Sequence, residues 1–133
     1  MAIPRFWREI PSRYNLVGSK CGNCGALDFP PRDVCPKCGR KSLGKMGRMK
    51  LSGRGRIFSY TVIHDAPKAF DIMKPYVLAI VEMEEGLRMT SQVTDLEPAE
   101  AKIGMPVETA FRKLGEEGAA GVIHYGYKFR PAL

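Results

Sequence analysis

The 133-residue chain is long enough for one average domain or for two small modules packed together. Apolar residues make up 44% of it and charged residues 26%, a composition that excludes wholesale disorder. Charge is uneven, because residues 1–56 carry 13 Lys and Arg against 3 Asp and Glu, whereas residues 57–133 carry 8 against 11. The first part therefore has a basic surface that either attracts anions such as phosphate or only aids solubility.

The chain carries no sequence signal for a membrane or for secretion. No apolar run approaches the roughly 18 residues that a membrane-spanning helix needs. The first residues lack the apolar core and the small-residue cleavage site of a secretory signal. We therefore expect a cytoplasmic protein with no membrane partner.

Residues 1–17 are predicted to form a short helical arm. Four large side chains recur at three- and four-residue spacing, as on one face of a helix: Phe6, Trp7, Ile10 and Tyr14. Pro11 interrupts this face, so we expect two short helical turns that meet there. The arm either packs on its own chain or uses Phe6, Trp7 and Arg8 to bind a partner, since Trp and Arg are favoured interface anchors.

Residues 18–47 contain all four cysteines, Cys21, Cys24, Cys35 and Cys38, in the pattern C-x2-C-x10-C-x2-C. Each C-x2-C pair can turn both sulfurs toward one point, and two facing pairs supply the four thiolates that zinc prefers in closed sites. Gly25 and Gly39 follow the pairs, where a tight turn needs a residue that tolerates positive φ. The pattern predicts a zinc ribbon.

Other interpretations of the cysteines are weaker, with one exception. Disulfides are rare in the cytoplasm, and two matched pairs are not typical of a redox motif. A rubredoxin-like iron site uses the same four ligands, so the sequence leaves zinc and iron open. A fourth thiolate leaves no position for water or substrate, and we therefore expect the metal to be structural.

The sequence pattern of residues 48–133 is typical of a β-barrel. Five segments read as strands: 57–64, 76–83, 87–93, 107–114 and 122–130. A helical turn at residues 97–102 precedes the fourth. Segment 76–83 is nearly all apolar, which favours a strand covered on both faces. The fold class is therefore mainly β: a short helical arm, a rubredoxin-like ribbon and a five-stranded OB-type barrel.

No catalytic constellation is recognisable in this pattern. His64 and His124 are the only histidines, and they lie far apart in the sequence. The cysteines are all assigned to metal, and neither a G-x-S-x-G elbow nor a G-x-x-x-x-G-K-[ST] phosphate loop is present. We expect a protein that is not an enzyme.

A set of short motifs follows the same order along the chain. They are FWR at 6–8, IPSRY at 10–14, the cysteine pattern at 21–38 with FPPR at 29–32, LSGRG at 51–55, YTV at 60–62, PYV at 75–77, VEMEEG at 81–86, IGMPV at 103–107 and YKFRP at 127–131. Together they resemble the acyl-CoA-associated OB-fold family with an N-terminal rubredoxin-like zinc ribbon. The IPSRY motif is most similar to its archaeal branch.

The resemblance implies a function through partners. Members of the family occur with thiolases, hydroxymethylglutaryl-CoA synthases or acyl-CoA hydratases. In the archaeal branch the small protein bridges a thiolase and a hydroxymethylglutaryl-CoA synthase of the mevalonate route in a hetero-oligomer. There it serves as a scaffold and helps to hold the coenzyme A of the passing thioester.

The contacts to coenzyme A are predicted from charge and position alone. Lys50, Arg54, Arg56 and Lys74 are the candidates for its phosphates. The alternative is a zinc-ribbon/OB protein that binds nucleic acid with its basic half. Against this alternative, residues 57–133 are acidic overall, and the aromatic residues of the barrel share strands with core positions and form no evident exposed stacking platform.

Overall fold

The computed structural model describes residues 7–116, 118–121 and 123–132, apart from the side chains of Ala69 and Phe70. The chain forms two compact units, Met1–Ser52 and Gly53–Leu133. The finer division at residues 17 and 47 stays a prediction. In the described part, no helix has the length and apolar character needed to cross a membrane.

In its described residues, the first unit contains a small three-stranded sheet preceded by a short helix. Its elements are helix α1 at Ile10–Asn15, strands β1 at Val17–Cys21, β2 at Leu27–Asp28 and β3 at Met46–Lys50, and a 3₁₀ turn at Gly39–Ser42. The strand order is β2-β1-β3, with both pairs antiparallel. Pro11 lies in the first turn of α1, where its missing N–H needs no partner.

The second unit is a closed five-stranded barrel. Its strands are β4 at Arg54–Ile63, β5 at Tyr76–Met83, β6 at Arg88–Val93, β7 at Pro106–Glu116 and β8 at Ile123–Pro131. They close in the order β4-β5-β6-β8-β7. All neighbours are antiparallel except β6 and β8, which meet in parallel at Val93 and Phe129. A 3₁₀ turn at Pro98–Glu100 connects β6 to β7, so the predicted OB-type fold is confirmed.

Alternation along β5 shows which side of the barrel forms the core. Val77, Ala79, Val81 and Met83 point inward and are at most 2% exposed. On the outer face of the same strand, Ile80 remains 37% exposed. The prediction that this strand is covered on both faces was therefore wrong, because closing the sheet buries only the inward side chains.

Two local features set the shape of β4. The backbone of β5 passes so close to Gly55 that a Cβ there would lie 2.5 Å from the Glu82 carbonyl oxygen, which only glycine allows. The pairing register then shifts between Ile57 and Ser59. This bulge leaves Ile57 in the core, 1% exposed, and turns Phe58 outward, 46% exposed.

Two phenylalanines on neighbouring strands test the assignment of the core. Phe129 is fully buried, whereas Phe111 is 51% exposed. Phe129→Ala should lower the free energy of unfolding by about 3–5 kcal/mol, because it empties a packed site. Phe111→Ala is the matched control and should cost about 1 kcal/mol, mostly from its stacking with Tyr125. The measurement is denaturant unfolding with zinc present, and equal losses in the two variants would contradict this core.

Candidate metal centre and ligand surfaces

The two cysteine pairs lie on matched tight turns. The N–H of Gly25 donates to the carbonyl of Cys21 at 2.8 Å, and the N–H of Gly39 donates to that of Cys35 at 2.9 Å. The glycines have φ of 76° and 57°, a region that side chains with a Cβ rarely adopt. Each turn therefore brings its two sulfurs to the same side, as the spacing predicts.

The four sulfurs converge on one point. All lie within 4.8 Å of one another, with Cys24 Sγ 3.6 Å from Cys35 Sγ and Cys21 Sγ 4.0 Å from Cys38 Sγ. Zinc holds thiolates at about 2.3 Å, which in a tetrahedron separates the sulfurs by about 3.8 Å. The cysteines are thus positioned to bind a metal, and the closed set leaves that metal no free position.

The pKa values of two cysteine thiols also indicate a site for a cation. The backbone N–H of Cys24 stabilises the Cys21 thiolate and, although burial opposes it, the pKa of Cys21 falls to about 7. The backbone N–H of Ala26 lowers the pKa of Cys24 in the same way. The opposing effects are together larger: hydrogen bonding with the Cys38 thiol, desolvation, and hydrogen bonding with the thiols of Cys35 and Cys21 raise the pKa of Cys24 to about 12. Four neighbouring thiolates therefore repel one another unless a positive ion lies between them.

A buried serine braces the second turn. The Ser42 side chain is fully buried; its Oγ accepts from the N–H of Cys35 at 2.8 Å and donates to the carbonyl of Gly39 at 2.7 Å. The amide of Asn23 donates to Cys38 Sγ at 3.3 Å and so links the two turns. The sequence did not identify either residue, because nothing in their spacing distinguishes them from surface polar residues.

Arg54 and Arg56 lie together, as their spacing on one strand predicts. They line a groove of about 610 Å³ formed by β4, the end of β5 and the start of β7. The groove also contains three carboxylates that the sequence did not associate with it: Glu82, Glu84 and Glu108. Glu82 is paired with Arg88 at 3.2 Å and Glu108 with Arg130 at 3.0 Å, which offsets part of their charge.

Lys74, another candidate phosphate ligand, does not line this groove. Lys74 precedes Tyr76, which pairs with Ile63 at the far end of β4. Ile63 lies seven residues beyond Arg56 along β4, so Lys74 is roughly 20 Å from Arg56. Its Nζ contacts Asp71 at 2.6 Å. Lys50 is exposed at the end of β3, in the first unit.

The proposed partner-binding arm is described in part. Trp7 is 73% exposed and Arg8 is exposed. Phe6 lies outside the described residues. The Trp7 and Arg8 side chains are therefore accessible, and their contact with a partner protein stays a prediction, since Trp and Arg are favoured interface anchors.

Exposed aromatic rings on the barrel are a correction to the sequence analysis. Phe58, Tyr60 and Phe111 are 46%, 39% and 51% exposed. Phe111 stacks on Tyr125 with ring centroids 5.3 Å apart, and the guanidinium of Arg88 lies 3.9 Å from the ring centre of Phe58. The alternating pattern concealed them, because a bulge in β4 and the far part of the β7–β8 hairpin place these rings outside the core.

The barrel also holds a buried amine that the sequence did not indicate. Lys128 on β8 is 7% exposed, and its Nζ lies 3.7 Å from Met73 Sδ. Burial lowers the pKa of Lys128, and the positive charge of Arg112 lowers it further. His124 is likewise buried on β8, whereas His64 is exposed just beyond β4, so the structure does not place the histidines in one described cluster.

Ser42→Ala tests whether the serine positions the metal ligands. Losing both hydrogen bonds should lower the free energy of unfolding by about 1–3 kcal/mol. Zinc affinity should fall about 10–100-fold, as expected when a residue that orients ligands is removed. Ser59→Ala on β4 is the control. The measurements are elemental analysis, with one zinc expected per chain, and competition with a chromophoric chelator; equal affinities in the two variants would contradict this role.

Comparison with known proteins gives consistent matches over both units. The family model described as "ChsH2, rubredoxin-like zinc ribbon domain" matches residues 8–44, and "ChsH2, C-terminal OB-fold domain" matches residues 49–112. Two relatives of 31–37% identity are named as subunits of acyl-CoA enzymes. One is a probable enoyl-CoA hydratase alpha subunit of Thermomonospora curvata, 37% identical over 129 residues and 37% of its length. The other is the benzoylsuccinyl-CoA thiolase subunit BbsA of Geobacter metallireducens, 31% identical over 78 residues and 49% of its length.

Closer relatives match nearly the whole chain. A DUF35 domain-containing scaffold protein of Methanothermobacter thermautotrophicus is 55% identical, over 96% of this chain and 94% of its own. Another, from Methanocaldococcus jannaschii, is 50% identical over 97% and 90%. The solved structure of the Ltp2-ChsH2(DUF35) aldolase has a TM-score of 0.74 at 33% identity, covering 100% of this chain and 99% of that one. The chain therefore belongs to the family of DUF35 domain-containing scaffold proteins and consists of a ChsH2-type zinc ribbon followed by an OB-fold barrel.

Proposed function

We propose that this protein is a non-catalytic scaffold subunit that bridges a thiolase and a hydroxymethylglutaryl-CoA synthase in the mevalonate route and helps to hold their coenzyme A. The observation that carries the proposal is the end-to-end similarity to named scaffold proteins, combined with relatives that are subunits of a hydratase and a thiolase. Because these relatives are named as subunits of two different acyl-CoA enzymes, they support the proposal that the shared module associates with such enzymes and is not itself catalytic.

The packing of the chain supports a structural role. Inward side chains such as Val81, Val107 and Phe129 fill the barrel and are at most 1% exposed, so its interior holds no substrate. In the ribbon, zinc held by Cys21, Cys24, Cys35 and Cys38 serves to stabilise the fold. Structural zinc contributes about 10–16 kcal/mol of binding free energy in zinc-finger peptides, which a module of this size needs in order to fold.

The bridging role is tested with the two enzymes and an altered arm. The isolated protein should show no acyl-transfer or hydratase turnover, and mixed with both enzymes it should elute with them in size-exclusion chromatography. Trp7→Ala with Arg8→Ala should weaken one of the two partnerships about thirtyfold, as expected for an interface anchor of about 2 kcal/mol.

A double variant of the barrel that also removes one aromatic residue and one arginine is the control for this test. Phe58 and Arg88 are also an aromatic–arginine pair at the surface, so Phe58→Ala with Arg88→Ala removes the same residue types elsewhere. Equal losses in the two double variants would contradict a specific role of the arm. Failure of the wild-type protein to bind either enzyme would overturn the proposed function.

Coenzyme A is the second part of the proposal. Its pyrophosphate and 3′-phosphate lie at one end of the molecule, so their ligands must lie close together. Arg54 and Arg56 meet this requirement, and they line a groove in which Glu82 and Glu108 already have arginine partners. Lys74 is too far along the strand to reach the same phosphates.

Affinity for coenzyme A in the assembled complex tests this contact. Arg54→Ala with Arg56→Ala should weaken binding about tenfold or more, since each charge-assisted hydrogen bond contributes about 1.5–3 kcal/mol. Lys74→Ala is a single-charge control within the barrel and should change the affinity less than twofold. Calorimetric titration with coenzyme A provides the measurement, and a larger effect of Lys74→Ala would contradict the assignment.

Nucleic-acid binding is the second candidate function. The basic first unit and the exposed rings of Phe58 and Phe111 favour it, because single strands bind to cationic grooves through base stacking. A fluorescent single-stranded oligonucleotide in the same titrations distinguishes the two functions. Salt-sensitive binding of the oligonucleotide by a chain that binds neither enzyme would favour this candidate.

A further inference from the structure

The charge of the ribbon is concentrated in one stretch of chain. Between Asp33 and Asp65 no acidic residue occurs, whereas eight basic residues do. In the first unit as a whole, two of the three carboxylates are already within reach of an arginine, since Glu9 pairs with Arg13 and Asp28 lies near Arg32. The positive charge of this unit is therefore not balanced within it.

Four of these cations surround the second cysteine turn. Lys37, Arg40, Lys41 and Lys45 are all exposed, and none of them forms an ion pair or side-chain hydrogen bond with any residue that the structure describes. We call this set, together with Leu43, the knuckle surface. An isolated charge of this kind is common on proteins, but four within nine residues create a local positive potential.

The backbone under the knuckle surface is held in place by the metal site. The N–H of Lys41 donates to the carbonyl of Cys38 at 3.3 Å, and the N–H of Lys45 donates to that of Ser42 at 2.9 Å. The carbonyl of Lys45 in turn accepts from the N–H of Gly22, in the first cysteine turn, at 2.9 Å. The cations therefore project from a preformed frame, which reduces the entropy lost on binding.

An apolar side chain lies among the cations. Leu43 is 59% exposed between Lys41 and Lys45, and Val34 beside Cys35 is 44% exposed. A single exposed leucine is common on protein surfaces, but an apolar side chain surrounded by several cations matches the apolar centre and charged rim of an interface. The combination indicates a protein partner, because a phosphate backbone has no apolar surface for Leu43 to contact. The knuckle surface also contains no aromatic ring on which a base could stack.

We propose that the knuckle surface is a docking site for an acidic protein surface, in which Leu43 fills an apolar recess and carboxylates of the partner face Arg40, Lys41 and their neighbours. Under the proposed function, on which this inference rests, the partner is one of the two acyl-CoA enzymes. The cations accelerate association by steering the acidic partner, and Leu43 slows its dissociation by removing apolar surface from water.

Charge reversal tests the docking site in the full-length, zinc-loaded chain. Arg40→Glu with Lys41→Glu should slow association with one enzyme about tenfold or more and flatten its dependence on salt between low and physiological ionic strength. Lys68→Glu with Lys102→Glu is the control: it makes the same change in net charge at exposed positions of the barrel and should leave association nearly unchanged. Biosensor kinetics with each immobilised enzyme provides the rates, and elemental analysis verifies that zinc is retained.

Leu43→Ala gives an independent measurement on an exposed residue. It should accelerate dissociation from the same enzyme about fivefold and leave the salt dependence intact. If both enzymes bind the wild type but Arg40→Glu with Lys41→Glu behaves as the barrel control does, the docking site is wrong and the proposed function stands. If the wild type binds neither enzyme, or binds a single-stranded oligonucleotide through these cations instead, the inference and the proposed function are both overturned.

Discussion

The convergence of four cysteine sulfurs is the interaction on which the first unit depends. Among its described residues, the buried apolar side chains are Leu16, Cys21, Cys35 and Leu51, so half of this small core consists of metal ligands. Too little apolar surface is buried to offset the conformational entropy of some fifty ordered residues. The two glycine turns and the Ser42 hydrogen bonds hold the four sulfurs in the arrangement that a tetrahedral ion requires.

The barrel is built on a different principle. Each strand contributes one face of alternating side chains, and closure buries these faces against one another without a metal. Its outer surface is then available for other contacts, and this surface retains Phe58, Ile80 and Phe111 partly exposed. The two units also differ in their charge: Met1–Ser52 carries 11 Lys and Arg against 3 Asp and Glu, whereas Gly53–Leu133 is nearly balanced, with 10 against 11.

These surfaces suit a protein that acts by contact. The closed metal site has no position for a substrate, and the interior of the barrel is filled. The features that remain are on the outside: an exposed tryptophan before α1, the cations and leucine of the knuckle surface, and the arginines of the groove at the start of β4. Under the proposed function, these separate surfaces would let one chain bind two partners at once and raise their effective concentration near one another.

The sequence by itself predicted that the four cysteines form one metal-binding set, where the five barrel strands lie along the chain, and the fold class, because cysteine spacing and runs of apolar residues are local and have few structural solutions. Only the tertiary structure decided which face of β5 is covered, that Ser42 braces the metal site, and that Arg54 and Arg56 share a groove with Glu82 and Glu108 while Lys74 lies at the far end of the strand. Those facts depend on where the chain returns in space, and contacts between distant segments leave no periodic trace in the sequence of either segment.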